Sequence, residues 1–446
     1  MILGRIGHLC DYILFDEAWA GFMKFHPLYS GRFAMGLAGL GPDAPGIIAT
    51  QSTHKQLASF SQASQIHIKD RHIRGEKRRV EHRRFNESFM QYASTSPYYP
   101  LFASLDVGAQ MMKGRSGEVL WDDTIRLGIE LRKKIRAVRR EFEQKAPPEN
   151  RWFFDPFVPD RVTMPDVSRE GSVHDVAWEA VGTDELASNP AYWQLAPGAA
   201  WHGFSAMERG FAMTDPNKLT LLTPGFDRAT GGYAEHGVPA PVVAEYLREN
   251  RIVAEKNDLN SLLFLLTPGV EASKAGTLIS ALIAFKKLHD DNMSLEEAIP
   301  EFYRRRPARY AGVRLRDLCA DMHRFFRNAD VSALQAKQFA PEHLPESAMS
   351  PHERRAASCA MTSTICRSTL SRTASPRRRL WSIRLASPRS CPGERITARA
   401  QPMLDYLKVF EAGFNAFPGF EVEIQGVYRE VHVSGRVRLH TYVVAE

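Results

Sequence analysis

Ser52-Thr53-His54-Lys55 gathers two hydroxyls, an imidazole and an amine within four residues, directly after the apolar run Gly46-Ile47-Ile48-Ala49-Thr50. A lysine just behind a buried strand is costly unless its ammonium has a task, because desolvation disfavours the charged form. Schiff-base chemistry with an aldehyde uses such an amine. Ser52 and Thr53 suit a phosphate, and His54 suits proton transfer. On its own the cluster also reads as an exposed turn.

Asp16, 39 residues upstream, changes that balance, because it closes a second apolar run, Tyr12-Ile13-Leu14-Phe15. Pyridoxal phosphate needs a lysine for its aldehyde and a carboxylate for its ring nitrogen. Asp16 and Lys55 at the tips of neighbouring strands would hold the two ends of one such molecule. The small side chain of Ala18 would let the ring lie against the backbone.

The elements that must position these groups follow from patterning. Two apolar strands joined by a longer segment suggest neighbours in an α/β sheet with functional groups at their C-terminal ends. From Asp122 to about Lys145, Ile125, Ile129, Ile135, Val138 and Phe142 recur at helical spacing, which predicts a long amphipathic helix whose Arg132–Arg140 stripe is its wet face. Ala146-Pro147-Pro148 reads as a linker. A second α/β unit follows, with strands at Leu219–Leu222, Ile252-Val253 and Leu262–Leu266 and a helix from Gly237-Val238-Pro239 through Arg248. A third region is helical over Arg314–Phe326 and Met403–Phe414, then strand-like over Val422–Val427 and Val437–Val444.

Composition bounds the function classes. The chain has 446 residues, 44% hydrophobic and 24% charged, which is ordinary for a folded protein of roughly two to four domains. No apolar run is long enough to span a bilayer, and the first residues lack the apolar stretch of a signal peptide. A cytoplasmic protein without membrane contact is expected. The net charge of +7 suggests nucleic acid, but nine arginines fall within residues 354–391, which contain no Lys, Asp or Glu. Outside that segment the 58 basic residues drop to 49, against 51 acidic ones. The Lys69–Arg84 stretch, with eight basic and three acidic residues, lacks aromatic interleaving and reads as a solvated loop. No nucleic-acid partner is expected. His202 has no companion at metal-ligand spacing, so no metal site is expected either. Cys10 and Cys319 read as buried rather than catalytic.

The sequence resembles the bacterial ornithine/lysine/arginine decarboxylases, pyridoxal-phosphate enzymes of the aspartate-aminotransferase fold. The resemblance rests on Phe15-Asp16-Glu17-Ala18-Trp19, Gln51 to Lys55, Ser61 to His67, Ala93-Ser94-Thr95-Ser96-Pro97, Trp201-His202-Gly203-Phe204 and Glu255-Lys256-Asn257-Asp258-Leu259-Asn260. It implies the C-terminal part of a pyridoxal-phosphate domain over 1–145, a small aminotransferase-like α/β domain over 146–295 and a C-terminal α+β decarboxylase domain over 296–446. It further implies that Lys55 bonds the cofactor aldehyde and that Asp16 pairs with the ring nitrogen. Ala18 would pack on the ring, Ser52 would contact the phosphate and His54 would lie beside the reacting carbon. Thr95 and Ser96 would reach the site across a homodimer, or a larger assembly of dimers, and Glu255 would meet the distal ammonium of a basic amino acid. Ornithine is the favoured substrate, with lysine and arginine as alternatives. Glu17 stands where relatives usually carry Ser.

Two departures follow from the same resemblance. Family chains extend further at the N-terminus, where a phosphate-cradling loop and a ring-stacking histidine are expected. A chain without them would bind the cofactor poorly, and an inactive remnant is the alternative function. The Arg/Ser-rich segment 354–391 reads as a local frameshift: relatives carry a Tyr-Pro-Pro-Gly turn here, and GC-rich codons for Tyr-Pro-Pro-Gly-Ile, read one base out of register, can give the run Ile383-Arg384-Leu385-Ala386-Ser387. A disordered basic insertion is its plainer explanation.

Overall fold

In the computed structural model, residues 2–165, 173–348, 350, 365–369, 380–381, 394–395, 397–424 and 426–444 are described. Two of the expected strands open the fold. Strands β1 (Tyr12–Asp16) and β2 (Gly46–Gln51) pair in parallel with Asp16 opposite Thr50. Side chains alternate between faces along a strand, so Phe15, Ile47 and Ala49 pack inward with Ala34. Leu14 and Asp16 lie on the other face. Gly46 is required by close approach: a Cβ there would lie 2.2 Å from the Tyr12 ring. Strand β3 (Gln65–Lys69) adds to β2 antiparallel and places Ile66 and Ile68 beside Thr50 and Ile48. No strand was expected at β3, although its strict alternation of polar and apolar residues is the signal for one.

The long helix runs Arg115–Lys145, seven residues earlier than its expected start, and buries Ile125, Ile129 and Ile135. Its basic stripe is not the wet face the sequence suggested. Arg132 is 2% and Arg136 5% exposed. Arg136 is paired with Asp155, Asp160 and Glu179. The Lys69–Arg84 loop is likewise less free than expected: Lys69 donates to the Met35 and Leu37 carbonyls, and Arg79 pairs with Asp70.

Beyond this helix come β4 (Asp155–Pro156), the hairpin β5 (Arg161–Pro165) with β6 (Val173–Ala177), then β7 (Lys218–Leu222), β8 (Lys256–Asn257) and β9 (Ser261–Leu265). The sheet order is β4-β7-β9-β8, antiparallel throughout. Ile252-Val253 is not a strand. Arg251 adopts a φ of 61°, and the Ile252 N–H bonds the Leu247 carbonyl at 2.9 Å. That closes the helix Ala240–Glu249 and delays the strand to Lys256.

Helices Ala272–Asp290, Leu315–Asn328 and Gln401–Ala416 pack around one core that runs from Leu131 to Leu439. A last sheet contains β10 (Glu346–Ser347), β11 (Ile365–Thr369), β12 (Leu380–Trp381), β13 (Glu394–Arg395), β14 (Tyr428–Val431) and β15 (Val437–Val444). Its order is β10-β13-β12-β15-β11, with β14 also on β15. The expected strand over Val422–Val427 is replaced by irregular chain that turns at Gly426 (φ 80°) and packs Val422, Ile424 and Val427 on the core. Apart from β11 and β12, the Arg/Ser-rich segment 354–391 lies outside the described residues, and the frameshift reading lies there with it. Among the described residues no helix is long and apolar enough to cross a membrane.

Candidate active site

Strand register brings the first two groups to one edge. Asp16 ends β1, level with Thr50 near the end of β2. Its Oδ1 accepts the Ala18 N–H at 3.0 Å, and the carboxylate is exposed. Glu17 turns the other way and is 8% exposed. It accepts the Gln51 Nε2–H at 2.9 Å and the Ala34 N–H. Thus Glu17 ties the end of β1 to the end of β2 beneath Asp16, a part that sequence alone did not give it.

Ser52, half-buried, leads from β2 into the one-turn helix Thr53–Gln56, and its carbonyl accepts the Lys55 N–H at 3.1 Å. His54 Nδ1 lies 2.8 Å from the Ala63 carbonyl. A carbonyl only accepts, so this bond assigns the proton to Nδ1 and leaves Nε2 open. Thr53 Oγ1 and both amide atoms of Gln56 are buried without a partner among the described residues. The following loop seats on the helix Tyr99–Met111: the Phe60 N–H donates to Ser104 Oγ at 3.1 Å, and a Cβ at Gly108 would meet the Ala58 carbonyl at 2.5 Å.

Lys55 is exposed, and its Nζ lies 5.7 Å from the centre of the Trp19 ring. Trp19 follows Asp16 by three residues, so one short turn carries both the carboxylate and the surface on which Lys55 rests. The same ring receives Lys218 Nζ at 5.8 Å and Lys256 Nζ at 5.7 Å. Lys218 also donates to the Trp19 carbonyl at 3.3 Å and pairs with Asp215, which accepts the Tyr29 hydroxyl at 2.8 Å. Buried Arg132 fastens this turn by donating to the carbonyls of Pro216 (2.7 Å) and Lys218 (2.9 Å). Burial lowers its guanidinium to about 10, against the opposing pull of Asp215 and Tyr29. Burial, followed by Asp215, raises the Tyr29 phenol well above its ordinary value.

Glu255 is exposed, and its N–H donates to the Leu263 carbonyl at 2.8 Å, next to Lys256 on β8. The second sheet thereby brings Lys256, the residue after Glu255, to the Trp19 ring. Thr95 and Ser96 are not joined to Lys55 within this chain; they sit on an exposed loop in which Ser94 Oγ accepts the Ser96 N–H at 3.1 Å. Sequence reasoning gave no role to Trp19, Lys218 or Lys256. Trp19 and Lys256 both lay inside the motifs that were singled out, beside Asp16 and Glu255.

Other singled-out residues have structural surroundings. His202 Nδ1 accepts the Phe204 N–H at 3.0 Å, and its ring packs on Trp201 and Phe204. Cys319 is buried, which pushes its thiol up, and Cys10 is half-buried.

Comparison with known proteins gives the family of the chain. Residues 1–274 match the family described as Orn/Lys/Arg decarboxylase, major domain, and residues 386–445 match Orn/Lys/Arg decarboxylase, C-terminal domain. The chain is 40% identical over 458 residues to the constitutive ornithine decarboxylase of Escherichia coli, covering 99% of this chain and 58% of that protein. It is 34% identical over 441 residues to lysine decarboxylase LdcA of Pseudomonas aeruginosa, covering 98% and 54%. The solved structure of lysine decarboxylase A from Pseudomonas aeruginosa superposes with a TM-score of 0.82 at 32% identity, over all of this chain and 55% of that one. The chain thus spans about half the length of the relatives it matches. With its first 274 residues in the major-domain family and similarity along nearly its whole length, the chain belongs to the Orn/Lys/Arg decarboxylases.

Proposed function

We propose that this chain carries the catalytic groups of a pyridoxal-phosphate-dependent decarboxylase of basic amino acids, with ornithine, yielding putrescine, as the preferred substrate. The observation that carries the reading is the placement of Asp16 and Lys55 just past parallel-paired strands β1 and β2, with Lys55 Nζ 5.7 Å from the ring of Trp19, three residues after Asp16. The chemistry of the donor set supports the cofactor. Lys55 Nζ has no ion-pair partner among the described residues, and Asp16 uses only Oδ1 to hold its own turn.

Pyridoxal phosphate, when bound, supplies an aldehyde that condenses with amines and a ring that accepts the electron pair left by a departing carboxylate. In this reading Lys55 would hold the aldehyde through its amine and give way to the substrate's own amine, and Asp16 would keep a proton at the ring nitrogen. Ser52 offers a hydroxyl to the phosphate, and Ala18 leaves room above the turn. His54, anchored through Nδ1, presents Nε2 to carry the proton that replaces carbon dioxide. Glu255 receives the distal ammonium. The ornithine decarboxylases among the relatives support the choice of substrate.

A homodimer belongs to the same proposal. Tyr98, Tyr99, Phe102 and Val107 are 62%, 74%, 55% and 57% exposed, an apolar surface of the kind that marks an interface. It adjoins the loop of Thr95 and Ser96, which would complete the partner's site. Domains over 1–145, 146–295 and 296–446, a cytoplasmic location and a place in polyamine formation or acid response complete the reading.

The test is decarboxylation by the full chain supplied with pyridoxal phosphate and, separately, L-ornithine, L-lysine and L-arginine. Carbon dioxide and the matching decarboxylated amine should appear fastest from ornithine and vanish in Lys55→Ala. No release from any of the three, or release that survives Lys55→Ala, contradicts the proposal.

A further inference from the structure

Lys55 and Lys256 bring two exposed ammoniums to one indole, each 5.7 Å from its centre, and so no more than about 11 Å apart. The third ammonium there, Lys218, is neutralised by Asp215. Neither Lys55 nor Lys256 has a carboxylate at ion-pair distance among the described residues. The ring's face attracts each cation, but their mutual repulsion stays uncompensated. An anion between them removes that repulsion.

Lys256 lies on edge strand β8, opposite Leu263, immediately after Glu255. Alternation along the strand sends the two side chains to opposite sides. We propose that Lys256 is a specificity-determining residue: with Trp19 as its platform, its ammonium takes the α-carboxylate of the amino-acid substrate. This deepens the decarboxylase reading and rests on it. The carboxylate carbon is two bonds, about 2.5 Å, from the substrate nitrogen that takes the place of Lys55 Nζ. Lys256 shares a ring with that position.

The placement separates substrate from product by charge. An amino acid presents an anion to Lys256, whereas the diamine left after decarboxylation presents only cations, which the same ammonium repels. The contact also belongs to the ground state, because the carboxylate leaves as carbon dioxide. Its loss raises KM without lowering kcat.

Calorimetric titration of the full chain, with no cofactor added, tests this with L-ornithine and putrescine as probes. The wild type should bind L-ornithine at least about tenfold more tightly than putrescine, a preference that Lys256→Arg keeps and Lys256→Met reduces to within about twofold. A wild-type ratio near one, or a Lys256→Met ratio equal to the wild type's, overturns the proposal. So does inorganic phosphate binding more tightly than L-ornithine and being lost in Lys256→Met, which would make the anion a phosphate. Borohydride fixation of pyridoxal phosphate on Lys55, scored on the same proteins, reports separately on the decarboxylase reading: its failure sinks that reading whatever the binding ratio.

Discussion

Asp16 and Glu17 stand side by side and serve opposite faces of the same turn. Asp16 faces outward, while buried Glu17 accepts from the Ala34 backbone and the Gln51 amide. Glu17→Ala leaves both donors without their acceptor and is expected to cost about 1–3 kcal/mol. Urea unfolding reads this directly, and an unchanged midpoint contradicts the assignment. The placement of Asp16, Ser52, His54 and Lys55 just past two paired strands was legible in sequence because each follows an apolar run. Trp19 was not, since its role depends on lysines from residues 55, 218 and 256, whose separations carry no periodicity.

Elements hold that turn in place through two contacts. Arg132 forks onto backbone carbonyls at the start of β7, which fixes Lys218 beneath Trp19. Arg132→Ala strands those carbonyls, and an expected loss of about 1–3 kcal/mol follows. Arg132→Lys should recover little of it, because an ammonium lacks the planar fork. A full recovery by lysine contradicts this account of the helix. At Gly108, the Tyr99–Met111 helix meets the loop behind Lys55, and a methyl would press on the Ala58 carbonyl. Gly108→Ala is expected to destabilise by about 1–3 kcal/mol, visible as a lower urea midpoint. The helix of Arg132 was legible from apolar spacing, but its docking was not. A row of arginines looks the same whether water or carbonyls receive it.

At the scale of the whole molecule, acid should weaken the fold. Burial is the leading cause that holds His26, His202 and His323 below their ordinary value, even though Asp122 pulls His26 the other way. The unfolded chain therefore takes up protons first. The stability these groups contribute is present above about pH 6.5 and is lost as pH falls through their depressed values. Melting temperature should drop between pH 7 and pH 5, and a flat profile contradicts that assignment. Strands β1, β2, β7 and β9 and the helix Arg115–Lys145 were legible because apolar runs survive in each, whereas β3 and the helices Tyr99–Met111 and Ala272–Asp290 were not read. The six-stranded sheet was legible only at β15, since apart from the β14–β15 hairpin and the β12–β13 pair its pairings join residues far apart in sequence. The account as a whole turns on Lys55 bonding the cofactor aldehyde. The 446-residue chain treated with pyridoxal phosphate and borohydride, digested and mapped by mass spectrometry, is expected to carry the reduced pyridoxyl group on Lys55. It should carry far less in Asp16→Ala. Label spread evenly over surface lysines, with Lys55 unmodified, would contradict it.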